Sequence, residues 1–120
     1  MVIDTNIVIA CLNGDKIADA LAQWKADGRA LFISSITVAE TLALPKLNPA
    51  EILKIQGFLG NFISIPFDDS VAEFAASLRR KYGLEIPDAG IVATALIHNL
   101  PLATRDTQFL KVKEVKVVNI

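Results

Sequence analysis

The chain has 120 residues, 52% of them hydrophobic, with 12 basic and 13 acidic side chains and a net charge of −1. That length lets one domain, residues 1–120, bury a core without staples. The single Cys11 excludes an internal disulfide, no run approaches the ~20 apolar residues that span a bilayer, and no signal-peptide pattern opens the chain, so a cytoplasmic protein without a membrane partner is expected.

Residues 1–3 read as a short buried strand running into Asp4, Thr5 and Asn6, with a short helix over 6–12 halted by Asn13-Gly14. Residues 16–27 carry Ile17, Ala20, Leu21 and Trp24 at helical spacing, and Gly28 ends that helix. A second strand spans 30–33. Ser34 and Ser35 are candidate caps for a helix over 36–44 that Pro45 stops. Asn48-Pro49 opens a helix to about residue 59, because proline at the first helical position gives up an N–H that has no partner there anyway. A third strand covers 62–66. Asp68 or Asp69 caps a helix over 71–82, and Gly83 supplies its stop.

The helix over 87–98 is apolar nearly all round, as expected for one packed on both sides. Residues 101–104 form a fourth strand, 107–110 a helical turn and 115–119 a fifth strand. Strands alternating with helices predict a three-layer α/β/α sandwich with a five-stranded, mainly parallel sheet.

Four acids recur at the ends of these elements. Asp4 follows strand one, Glu40 lies in the helix after strand two, Asp88 opens the helix leading into strand four, and Asp106 follows strand four. Singly, each has an ordinary explanation: Asp4 and Asp106 as helix caps, and Asp88 as a charge that a helix N-terminus favours. Glu40 is too far along its helix to cap it. With Ile36, Ala39, Ala43 and Leu44 around it, it is expected to reach water or meet a cation.

If strand one pairs with strand four, the strand order reverses there and a crevice opens at their carboxyl ends, lined by all four acids. With only Arg105 as a basic neighbour, such a group must take up protons or a cation. Hard oxygen donors suit Mg²⁺ or Mn²⁺. Cys11 and His98 fall elsewhere, and no nucleophile elbow, dinucleotide loop or phosphate loop is present. Setting the four acids aside leaves nine acidic against twelve basic side chains, a mildly basic body compatible with a polyanion.

Val2-Ile3-Asp4-Thr5-Asn6, Ile36-Thr37-Val38-Ala39-Glu40, Pro87-Asp88-Ala89 with Ala93-Thr94-Ala95, and Thr104-Arg105-Asp106 with Phe109 together resemble the PIN-domain family, in size its VapC-type toxin branch. The resemblance runs through the chain in order. It implies a metal-dependent ribonuclease acting on RNA, in which Asp4, Glu40, Asp88 and Asp106 hold one or two Mg²⁺ ions. Thr5, Asn6 and Thr104 match positions that support the acids or touch phosphate, and Arg105 is a candidate phosphate contact. A homodimer is also implied, as is a cognate antitoxin in the groove beside the early helices. Only three residues precede Asp4, fewer than is usual in the family, so strand one is expected to be short.

Two other classes compete. A PIN-like domain that binds RNA or protein without catalysis would keep the fold and lack cleavage. A phosphoryl-handling α/β domain would carry a second Asp where this chain has Asn6, or a lysine near Thr104-Arg105.

Overall fold

A computed structural model describes residues 1–120. The first strand, β1 (Val2–Ile3), has two residues, as the short lead into Asp4 dictates. It is nonetheless held on both sides. Val2 is in register with Phe32 of β2 (Phe32–Ser34) and with Leu102 of β4 (Leu102–Thr104), and the terminal ammonium of Met1 donates to the Ala30 carbonyl at 3.0 Å. The outer strands are β3 (Ile63–Ile65) and β5 (Val117–Asn119). All pairs are parallel, in the order β3-β2-β1-β4-β5. Strand order therefore reverses beside β1, as the pairing of strands one and four requires.

The central strands show why the fold has three layers. Successive strand residues point to opposite faces of a sheet. Val2 and Leu102 enter one core with Val71, Leu78, Ile91, Val92 and Phe109, whereas Ile3 and Ala103 enter the other with Ile7, Leu21, Ile33 and Ile55. A strand buried on both faces must be apolar throughout, which accounts for its lack of polar alternation.

Helices α1 (Thr5–Leu12), α2 (Ile17–Ala26) and α4 (Pro49–Leu59) contribute buried residues to the second core, and Val38 and Leu42 of α3 (Ser35–Leu42) pack against it. Helices α5 (Asp69–Tyr82) and α6 (Ile86–Ile97) supply the first, together with the short 3₁₀ helix Thr107–Lys111. No helix is long and apolar enough to cross a membrane.

The caps follow the sequence, with small shifts. Ser34 caps α3 through the Ile36 N–H at 3.0 Å, and Asn48 and Glu51 form a reciprocal capping box at α4. Asp68 caps α5, which thus begins at Asp69 instead of at the first apolar residue, Val71. The third helix ends at Leu42, two residues short of expectation, because the residue before Pro45 is barred from continuing a helix.

One close approach was not anticipated. A Cβ on Gly90 of α6 would lie 2.9 Å from the Phe67 ring and closer still to the Ile36 side chain. The absence of a side chain there lets α6, which carries Asp88, pack hard against α3, which carries Glu40.

Candidate functional site

The reversal point brings β1, β4, α3 and the start of α6 to one edge of the sheet, and with them the four acids. Asp4 stands at the N-cap position of α1 but makes no cap bond with its side chain. Its Oδ2 instead accepts the Thr104 hydroxyl at 2.8 Å. The Thr104 oxygen in turn accepts the backbone N–H of Asp106 at 3.0 Å. One hydroxyl thus ties the ends of β1 and β4 together.

Asp106 does act as a cap: its Oδ1 accepts the Gln108 N–H at 3.0 Å. Its Oδ2 receives the Gln108 side-chain amide at 2.7 Å, and the same nitrogen reaches Asp88 Oδ2 at 3.2 Å. Gln108 is therefore a member of the site that sequence reasoning missed. A glutamine in a helical turn carries no pattern of its own; the sole signal is its place two residues after a candidate acid.

Glu40 reaches the surface in part, and a neighbouring hydroxyl partners it as well. It is half-buried and accepts the Thr5 hydroxyl at 2.8 Å, and that hydroxyl also lies 2.8 Å from Thr37 Oγ1. The flanking Ala39 and Ala43 are exposed, so the apolar stripe around Glu40 is not a buried face. Thr37 and Thr41, one turn before and directly after Glu40, are the buried polar positions of α3. Their helical spacing was the available signal.

The electrostatics record the crowding. Asp4 is 2% exposed, and burial pushes its carboxyl up to about 6, against the opposing hydrogen bond from Thr104. The charges of Asp88 and Asp106 push in the same direction as burial. Asp88 is also raised, first by desolvation and then by Asp106 and Glu40. None of the ion pairs includes any of the four acids.

Arg105, the one base beside them in sequence, is engaged elsewhere. Its guanidinium forks onto both carboxylate oxygens of Asp15 at 2.9 Å, and its Nε donates to the Ile120 carbonyl at 3.2 Å. That fork holds the Asp15 carboxyl well below the usual carboxylate range. Asn6 is exposed in the first turn of α1.

The donor set is oxygen throughout, anionic, partly desolvated and short of positive charge, which fits a hard divalent cation. The acids are gathered without forming a closed cage: no three of them converge as ready-made ligands. The largest cavity, about 410 Å³, lies apart from all four, between α1, α2 and α4, lined mainly by apolar residues such as Leu21, Leu31, Phe58 and Phe62.

The fold agrees with comparison to known proteins. The PIN domain family model matches residues 1–115, and the chain belongs to the PIN-domain family. Its structure is similar to a toxin–antitoxin complex from Klebsiella pneumoniae, with 33% identity, a TM-score of 0.80, and coverage of 98% of this chain and 94% of that one. It is also similar to FitAcB from Neisseria gonorrhoeae, at 31% identity and TM-score 0.72, covering 98% and 96%. A further match is VapBC2 from Rickettsia felis bound to a fragment of promoter DNA, with 22% identity, a TM-score of 0.84 and coverage of 99% and 97%; at that identity it speaks for the fold alone. No curated protein sequence matches the chain.

Proposed function

We propose that residues 1–120 form a single nuclease domain of VapC type, a metal-dependent endoribonuclease that hydrolyses RNA phosphodiester bonds as the toxin of a toxin–antitoxin pair. The observation that carries this reading is the set of four mutually repelling acids at the strand-order reversal, with the nearest arginine committed to Asp15. Membership of the PIN-domain family supports nuclease chemistry.

Asp4 and Asp106 are assigned as direct ligands of Mg²⁺, or of Mn²⁺ in its place, and Glu40 and Asp88 as ligands of a second ion or as groups that act through water. Bound there, a divalent cation lowers the pKa of a neighbouring water and offsets charge at the phosphate and the leaving 3′-oxygen. Thr104 fixes the orientation of Asp4, and Thr5 that of Glu40, each through a 2.8 Å hydrogen bond. Buried carboxylates held in one rotamer lose little further freedom when a ligand arrives. Asn6, exposed in the first turn of α1, is assigned to phosphate contact; Arg105 would join it only by releasing its fork onto Asp15.

The Klebsiella pneumoniae protein is solved as a toxin–antitoxin complex. By the same logic this chain has a cognate antitoxin, whose apolar segment fills the cavity beside α1, α2 and α4, and the toxin is a cytoplasmic homodimer. A titration of RNA cleavage against Mg²⁺ and Mn²⁺ tests the reading. Saturable, metal-dependent cleavage is expected; RNA binding without cleavage at any metal concentration would favour a non-catalytic binding domain.

A further inference from the structure

Gln108 is the one neutral donor set between two of the acids. Its Nε2 lies 2.7 Å from Asp106 Oδ2 and 3.2 Å from Asp88 Oδ2, so two carboxylates from separate elements converge on a single amide nitrogen. No lysine or arginine shares this position. An amide N–H₂ carries partial positive charge and two donors, and two carboxylates facing each other without it would repel. It is also a poor substitute for a cation, because it neutralises neither charge.

We propose that Gln108 is a placeholder: its side chain bridges Asp88 and Asp106 in the metal-free protein and gives them up when a divalent ion is bound. This rests on the reading of the acids as metal ligands. The oxygens it engages, Asp88 Oδ2 and Asp106 Oδ2, belong to acids that would each be needed when divalent ions are held at the site, directly or through water. Metal binding then costs the two hydrogen bonds of the bridge, which lowers affinity while keeping the empty site from opening. The cap bond from the Gln108 backbone N–H to Asp106 Oδ1, at 3.0 Å, is independent of the side chain and survives its replacement.

The test uses Mn²⁺ alone, with calorimetric titration and thermal unfolding as readouts on the full chain. A ligand that binds only the folded state raises the midpoint in proportion to its affinity. Gln108→Leu is expected to unfold at a lower temperature than wild type without metal, to lose that deficit at saturating Mn²⁺, and to bind Mn²⁺ at least about tenfold more tightly, the change that a single one of its two charge-assisted hydrogen bonds corresponds to. Gln108→Lys, which replaces the amide with a fixed charge, is expected to raise the metal-free midpoint and to abolish the Mn²⁺ shift. It keeps the test decisive if the leucine variant folds poorly.

Equal or weaker Mn²⁺ affinity in Gln108→Leu, or a stability deficit that persists at saturating metal, would overturn the placeholder role while leaving the metal reading intact. Failure of wild-type protein to bind Mn²⁺ would overturn both.

Discussion

Asp4 and Thr104 stand 100 residues apart in the chain and share a 2.8 Å hydrogen bond between the ends of two adjacent parallel strands. Thr104 is 1% exposed and Asp4 2%, so water cannot replace the partner of either. Thr104→Val keeps the shape, removes the donor to Asp4 and also removes the acceptor of the Asp106 N–H. Leaving buried polar groups unpaired costs about 1–3 kcal/mol. Urea unfolding of this variant is expected to show that loss, and ¹³C titration of Asp4 a pKa above the wild-type value.

Asp4 itself is held at a stability cost that depends on pH. Its folded-state pKa of about 6 lies above its ordinary 3.8, so the metal-free fold prefers the protonated carboxyl. The stability associated with that preference is fully present below pH 3.8 and is lost as pH rises through about 6. Asp4→Asn keeps the shape and cannot ionise. Without metal it is expected to be more stable than wild type at pH 7.5, by on the order of 1–3 kcal/mol, and to match it near pH 4. Midpoints measured at both pH values in EDTA check the prediction; a variant less stable at pH 7.5 would contradict it.

Gly90 links packing to the site. A methyl group there meets the Phe67 ring at 2.9 Å and the end of the Ile36 side chain closer still, so those side chains or α6 itself must give way. Overpacking of this kind costs about 1–3 kcal/mol. Gly90→Ala is therefore expected to lower the unfolding midpoint, and to reduce catalytic turnover to the extent that α6 yields and carries Asp88 away from Glu40. A destabilised variant with unchanged turnover would separate the packing role from the catalytic one.

The parallel sheet, its reversal point and the layering were legible because they rest on periodicity and on strand-helix alternation. Val2, Ile3, Leu102 and Ala103 are apolar with no alternation, and only burial on both faces explains that. Asp4, Asp88 and Asp106 were legible because each sits at the end of an element, where topology limits what lies nearby, and Glu40 because it is a carboxylate among apolar neighbours inside a helix. Partners that bind across the fold were not.

Arg105 carries no sign in the sequence that it reaches Asp15, ninety residues earlier, and Asp15 lies in a turn that any acid could occupy. Gln108 is likewise uncharged and lies off every apolar stripe. Glu40 stood out because its sequence neighbours are apolar, but nothing in the sequence showed that Thr5 from another helix supplies it a hydrogen bond. Helix ends shifted by one or two residues wherever a cap competed with the first apolar position, as at Asp68.

The central claim, that these acids serve a metal-dependent hydrolysis of RNA, is tested most directly by cleavage of a labelled RNA by wild-type protein and by Asp4→Asn. Each is assayed in EDTA and after restoration of excess Mg²⁺. The account predicts no cleavage by either protein in EDTA, full recovery of wild type with Mg²⁺, and activity at least a hundredfold below wild type in Asp4→Asn once Mg²⁺ is restored, on the order of the rate factors that single catalytic groups contribute. Cleavage that resists the chelator, or full activity in Asp4→Asn, would contradict it.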